Sequence, residues 1–278
     1  VSLAFDHLVH FLQRNPMEAA ELMSQAGFHA VPGGRHPQWG TWNSLCYFGL
    51  SYVEFLAVEQ EETARRSDNP LVRQLLADVA AAGEGMGQIA LRTSRIDEWA
   101  ARLQAKGIRV TGPVAAGRTR ADGSAIRWRM LFLHAEVSHA EGSGVLPPFL
   151  IEWEEPDEER KEDLAKRGLW AAHPNGAESL LEVAYAVRSL EEAVERWRQW
   201  FALEAEAVAF DERLDAWCQR IALPGGDVLL CQPKGEGWAA QALKKRGERP
   251  FLARFGGSGR EQVWNFLGVS YQLDRQRK

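Results

Sequence analysis

The sequence predicts an α+β fold made of βαβββ modules, about three and a half of them. A pattern of apolar strand, helix-capping signature, amphipathic helix and second strand recurs four times. The first three copies match in length, with offsets of 23, 22 and 23 residues from first strand to post-helix strand (5→28, 86→108, 180→203). Paired apolar runs after each of these helices supply the remaining strands.

The first strand is FDHLVHFL, residues 5–12. Asn15-Pro16-Met17-Glu18 follows, with a capping side chain, Pro at the first helical position and an acid in the first turn. The helix is expected to run to about Ala26, because Gly27 accepts the left-handed conformation that ends a helix. Phe28 to Val31 reads as strand, and GGRHPQWGTWN, residues 33–43, as a loop. Residues 44–50 and 52–58 read as a hairpin. In the second module MGQIALRT (86–93) is the strand and Ser94-Arg95-Ile96-Asp97 the cap, and Ile96, Trp99, Ala100 and Leu103 fall at helical spacing. Ile108-Arg109-Val110, 125–133 and 149–153 supply its other strands. The third has LLEVAYAV (180–187), a capping box at Ser189–Glu192 and a helix carrying Trp197, Trp200 and Phe201. A strand around Val208 follows, then a hairpin about Pro224-Gly225-Gly226. The fourth is expected to hold a strand (250–255), a cap at Ser258–Glu261, a helix ending at Gly268 and a closing strand, and to lack its last two strands. EWEEPDEERKEDLAK, residues 152–166, reads as a solvated linker or exposed helix. The expected organisation is therefore a two-module domain over 1–153, a charged linker over 154–173, and a region over 174–278 with one full and one truncated module.

Composition narrows the function classes. The 278 residues carry 33 basic and 38 acidic side chains, a net charge of −5, so no global field draws the chain to nucleic acid or an anionic membrane. No apolar run is long enough to span a bilayer. The N-terminus has Asp6, His7 and His10 inside its apolar stretch and no basic leader, so it reads as a strand and not a signal peptide. The three cysteines, Cys46, Cys218 and Cys231, are widely spaced in apolar stretches, which suggests buried thiols and a reducing, cytoplasmic setting.

Paired βαβββ modules resemble the vicinal oxygen chelate superfamily, the glyoxalase/bleomycin resistance/dioxygenase fold. FDHLVHFL is similar to that superfamily's first strand, and GGRHPQWGTWNSLCYFGLSYVEFLAVE and GRTRADGSAIRWRMLF resemble glyoxalase-like domain proteins. The resemblance implies a cupped sheet holding a divalent metal (Zn, Ni, Mn or Fe). Carried over by position, its ligands are His7, Glu54, Gln88 and Glu152. Side chains alternate along a strand: His7 shares a face with Phe5 and Val9, Glu54 with Tyr52 and Leu56, and Glu152 with Leu150. A carboxylate among apolar neighbours is costly unless paired or metal-bound. Gln88 in place of a second His argues against extradiol dioxygenase chemistry. His10 falls on the face opposite His7, towards the helix layer. In the third module Glu182 aligns with His7 and Leu229 with Glu54, so the second half lacks a ligand set and reads as structural, a lid or a dimer element.

Anion-binding candidates lie in two places. In the 33–43 segment Arg35 and His36 are candidates to bind a carboxylate or phosphate, Trp39 and Trp42 offer an apolar wall, and Asn43 offers a donor. The resembled pattern has His where Trp42 stands. Arg118, Arg120, Arg127 and Arg129 flank the turn Ala121-Asp122-Gly123-Ser124, and guanidinium groups hold carboxylate or phosphate in bidentate fashion. Two functions follow. The first is a metal-dependent lyase or isomerase of glyoxalase type, acting on a small anionic substrate with vicinal oxygens, with Glu152 or Glu54 moving a proton. The second is a small-molecule binding or resistance-type protein on the same fold, which breaks no bond. A weaker third reading is a regulatory or assembly subunit. Modules pairing between chains instead of within one would make a homodimer.

Overall fold

The computed structural model describes residues 2–120, 122–134 and 144–276. Ala121 of the expected turn lies outside them. Fifteen strands in the described residues form two sheets. The first module is β1 (Ala4–Leu12), α1 (Pro16–Gln25), β2 (Ala30–His36), β3 (Thr41–Phe48) and β4 (Ser51–Val58). Two helices, α2 (Glu61–Arg66) and α3 (Pro70–Ala82), lead to the second: β5 (Gly85–Arg92), α4 (Ile96–Ala105), β6 (Val110–Thr119), β7 (Ala125–Leu133) and β8 (Phe149–Trp153). These eight strands make one sheet in the order β2-β3-β4-β1-β5-β8-β7-β6. After α5 (Asp157–Lys166) come β9 (Ala177–Ala186), α6 (Leu190–Phe201), β10 (Ala209–Asp211), β11 (Ala216–Ile221) and β12 (Asp227–Pro233). Last are α7 (Trp238–Arg246), β13 (Pro250–Gly257), β14 (Gln262–Phe266) and β15 (Val269–Arg275). The second sheet runs β10-β11-β12-β9-β13-β15-β14. The mixed α+β fold of repeated βαβββ modules is the one the repeat predicts.

Local chemistry explains where elements start. Asn15 caps α1 by accepting the Met17 N–H at 2.9 Å, and Ser189 caps α6 by accepting the Glu192 N–H at 3.2 Å. Three expectations are corrected. The helix expected before Gly268 is strand β14, because Val263, Trp264 and Phe266 favour a pleated surface and alternate in exposure. The last module thus lacks its helix and one strand, not its last two strands. The 33–43 segment is largely strand, continuing β2 to His36 and opening β3 at Thr41. The 152–166 segment is not merely solvated: Arg160 and Leu164 of α5 are buried.

The two sheets share one core. Phe5, Leu8 and Phe55 from the first and Leu180, Val183 and Phe255 from the second belong to the same buried cluster, with Trp99 of α4 and Trp197 of α6. The Phe48 and Phe255 rings stack with centroids 4.5 Å apart. His10 does face away from His7, but it meets Tyr271 and the Leu267 carbonyl of the second sheet, not the helix layer. No helix among the described residues is long and apolar enough to cross a membrane.

Candidate functional site

The opposite face of the first sheet is concave and encloses a hollow of about 100 Å³, room for several waters or a ligand of a few non-hydrogen atoms. Strand alternation selects what enters it. β1 contributes His7, β3 contributes Asn43 and Tyr47, β4 contributes Tyr52, Glu54 and Leu56, and β7 and β8 contribute Trp128, Met130, Phe149 and Ile151. Leu71 of α3 and Arg160 and Leu164 of α5 close the opening.

The polar end is organised around Asp6 and His7. Asp6 is fully buried, and its Oδ1 lies 2.7 Å from His7 Nδ1. Its Oδ2 accepts from Trp153 Nε1 at 3.0 Å, Arg92 Nη1 at 3.2 Å and Arg160 Nη1 at 3.3 Å. Burial alone would raise the Asp6 pKa; Arg160, His7 and Arg92 overcome it and hold the carboxyl well below the usual carboxylate range. An ionised Asp6 accepts only, so His7 Nδ1 carries a proton. In the neutral ring Nε2 is therefore the free lone pair, and it lies 3.6 Å from Glu54 Oε2. Tyr52 stacks on the imidazole with centroids 4.5 Å apart. The Gly34 N–H donates to Asn43 Oδ1 at 2.7 Å, which leaves Asn43 Nδ2 to donate to Glu54 Oε1 at 2.6 Å. His36 is buried beside Thr41 Oγ1 at 3.1 Å, and burial lowers its pKa.

Arginine placement separates the four guanidinium groups. Arg118 is half-buried and lines the hollow, where loss of solvation lowers its pKa. It makes no ion pair with any described residue, and Nη1 donates only a long bond, 3.4 Å, to the Gly33 carbonyl. That bond joins β6 to β2, the two outermost strands, and nearly closes the sheet into a barrel. Gly34 makes room for it, since an added Cβ would lie 2.3 Å from Arg118 Nη1. Arg120 also lines the hollow but is paired with Asp163 at 2.9 Å. Arg127 pairs with Glu154 at 3.1 Å, and Arg129 pairs with Asp97 at 2.9 Å and with Glu152; neither lines the hollow.

A family model described as Glyoxalase-like domain matches residues 5–201. The chain belongs to that family. A hypothetical protein from Staphylococcus aureus is similar over 99% of this chain and 100% of its own, with a TM-score of 0.76 and 19% identity. A mutant 4-hydroxymandelate synthase from Streptomyces coelicolor is similar over 92% of this chain and 71% of its own, at 0.54 and 16%. A Streptomyces coelicolor methylmalonyl-CoA epimerase covers 55% of this chain and 98% of its own, at 0.40 and 20%. The first two likenesses are of the fold alone. No curated protein matches the chain.

The metal positions can be tested against strand register. Across β1 and β5, His7 pairs with Ala90 and Val9 with Gln88, which makes Gln88 the counterpart of His7. Val9 pairs with Glu54, and Ala90 pairs with Phe149. The counterpart of Glu54 is therefore Phe149, not Glu152. Glu152 points to the convex side with Leu150, pairs with Arg129 and accepts the Ile96 N–H at 3.2 Å. Gln88 is tied elsewhere: Oε1 accepts from Ile89 N at 3.1 Å, and Nε2 donates to the Pro147 carbonyl at 3.1 Å. It lines a separate recess with Gln74. No group of three or more His, Cys, Asp or Glu among the described residues could hold a metal ion. His7 and Glu54 come together as expected, but two donors do not make a divalent site. The residues present do not fit the ion.

The other candidates divide in the same way. His36, Trp39 and Asn43 line the hollow. Trp42 faces the core between the sheets, because its neighbours Thr41 and Asn43 take the concave face. Arg35 pairs with Glu59 at 2.7 Å, with its guanidinium over the Trp42 ring and outside the hollow. Sequence reasoning missed Asp6, Tyr47, Trp128 and Arg160. Asp6 had a signal, as an acid beside His7 in an apolar strand; Arg160 had none inside its run of charges. In the second sheet Glu182 gives one oxygen to Arg254 at 2.7 Å and the other to Arg220 at 3.1 Å. Leu214, Leu229, Leu252 and Ala239 of α7 fill the concave face beside it.

Proposed function

We propose that the first-sheet hollow binds a small organic anion on Arg118 and that His7, with Glu54, moves a proton on it. The observation that supports this reading is the half-buried Arg118, with no ion-pair partner among the described residues, facing the same small hollow as the His7–Glu54 pair. A partly desolvated cation with no counterion among the described residues favours an anionic ligand, and a carboxylate suits its fork. With Asp6 on Nδ1, His7 presents Nε2 as a base towards the ligand, and Asp6 stabilises the imidazolium formed when a proton leaves a carbon next to a carbonyl. Asn43 keeps Glu54 aimed at His7, so the proton has a second acceptor from which to return. Leu56, Met130, Phe149 and Trp128 give the ligand body an apolar wall. The reaction class is an isomerisation or elimination by proton transfer, with no step assigned to a metal.

The alternative, binding without turnover, draws on that same apolar wall, and one experiment separates the two. Small 2-oxo and 2-hydroxy carboxylates are titrated against the full chain, read by fluorescence of Trp39 and Trp128, and followed for deuterium uptake from D₂O. Arg118→Ala should weaken binding about tenfold or more, the worth of a charged hydrogen bond, whereas Arg127→Ala should not. Glu54→Gln should retain binding and lose deuterium uptake. Uptake by no carboxylate that binds would leave the binding reading. Equal affinity in Arg118→Ala, or a stoichiometric divalent metal lost in Glu54→Ala, would overturn the proposal.

A further inference from the structure

Away from the hollow, two of the three cysteines meet. Cys218 on β11 lies directly opposite Cys231 on β12 in an antiparallel ladder. The phase of that ladder can be read from its end. Lys234 N–H donates to the Asp215 carbonyl at 2.9 Å, which makes 215 and 234 a hydrogen-bonded pair in the same register. Pairs alternate, so 216 with 233 is a non-hydrogen-bonded pair and 218 with 231 is the next. Two neighbours agree. Pro233, which has no N–H, takes a non-hydrogen-bonded position, and the Cys231 carbonyl turns to the other side, accepting the Val187 N–H at 2.9 Å. Opposed residues of this kind have Cα atoms about 4.5 Å apart, inside the span of roughly 4.4–6.8 Å that a disulfide bridges. Their side chains leave the sheet on one face, into a cluster that includes Ala184, Ala186, Ala216 and Ala239.

We propose that Cys218 and Cys231 are a modification site: a cross-strand disulfide within one chain, made by hydrogen peroxide, that staples β11 to β12 while Cys46 stays a thiol. Cys218 is 4% exposed and Cys231 fully buried, so Cys218 is the group a small oxidant reaches first. Its sulfur attacks the peroxide, the O–O bond breaks, and a sulfenic acid and water result. The Cys231 sulfur then attacks the sulfenic sulfur, the S–O bond breaks, and a second water leaves. Two thiols are oxidised and one peroxide is reduced. Burial raises the Cys231 pKa, so the thiol is the resting form and closure is slow, over a long exposure. Cys46, on β3 of the other sheet, faces no cysteine: its ladder partners are Ala30 and Val53.

The test is peroxide treatment of the full chain, alkylation under denaturing conditions and peptide mapping by mass spectrometry. The expected result is a peptide joined through Cys218 and Cys231, with one of the three thiols, Cys46, still alkylated. Cys46→Ser should cross-link as the natural chain does, and Cys218→Ser should give no cross-linked peptide. The Cys46→Ser arm keeps the test valid should Cys218→Ser fold poorly. Three alkylatable thiols after treatment, separate sulfinic or sulfonic acids, or a link through Cys46 would each overturn the proposal.

Discussion

His10 has no exposed surface and sits where the two sheets meet. Its Nε2 donates to the Leu267 carbonyl at 2.9 Å, so Nδ1 is the acceptor for the Tyr271 hydroxyl. The neutral ring satisfies both partners, and burial holds its pKa down to about 4. An unfolded histidine titrates near pH 6.5. Above that value neither state binds the proton and stability is unaffected. As the pH falls from about 6.5 to about 4, the unfolded chain takes up a proton that the native one refuses, and stability drops by about 3 kcal/mol in full. Urea midpoints measured across this range should therefore fall with acidification. His10→Gln should remove part of the slope, leaving the shares of His36 and His134, whose pKa values burial also lowers, and of His173, lowered to about 4. A slope identical in the two chains would show that His10 is not held neutral. Residue type marked all four arginines in the β6–β7 hairpin as anion binders, but a neighbouring acid within about 4 Å neutralises three of them, and only the folded chain shows which.

Strand β14 and its turn are instructive at the scale of the element. Leu267 and Gly268 have φ of 54° and 81° and join Phe266 to Val269, a two-residue hairpin turn in which both central residues are left-handed. Gly268 marks the end of an element in the sequence, but Gly ends helices and turns hairpins alike, so the element type had to come from side-chain preference and pairing. Gly268→Ala places a Cβ 2.3 Å from the Glu84 carbonyl oxygen. With about 1–2 kcal/mol for the left-handed backbone and the displacement of that contact, the melting temperature should fall by several degrees. Gly123→Ala is the control: its φ is 84° with nothing near the added carbon, so it should cost only the backbone share. Equal losses in the two variants would contradict the close approach. Most strands were legible because each alternates or runs apolar between turn signals, and β7 and β8 fall on their expected residues. The cover of the hollow was not legible. α3 was not anticipated, and α5 reads as solvated because Arg160 is charged, although that charge is buried against Asp6.

At the scale of the molecule, the halves read from the sequence as 1–153 and 174–278 share one large buried cluster between their sheets, beside smaller clusters of their own. Phe28 packs on Phe255 with centroids 5.1 Å apart, and Trp99 on Phe201 at 5.9 Å. Removing the second sheet would expose this apolar face and strand His10 without its partners, each buried aromatic costing on the order of 2–3 kcal/mol. The fragment 1–153 should therefore lack a cooperative urea transition and near-ultraviolet dichroism, whereas the whole chain has both. A fragment that unfolds cooperatively would show that the shared core is dispensable. The filled second cup fits this division of labour: one sheet keeps a hollow, and the other buries its own concave face and buttresses the first.

The sequence by itself determined the modular repeat, because strand period and capping chemistry are local, and its motifs carried the resemblance that implied the family and the meeting of His7 with Glu54. Parity also put Glu152 on Leu150's face. It could not say that this face is the convex one, nor that β5 and β8 pair so that Phe149 holds the place opposite Glu54. Register between distant strands, the ion pairs that silence three arginines, the Asp6 network and the juxtaposed Cys218 and Cys231 depend on distances across the chain. Those distances are set only when the sheets curl and pack.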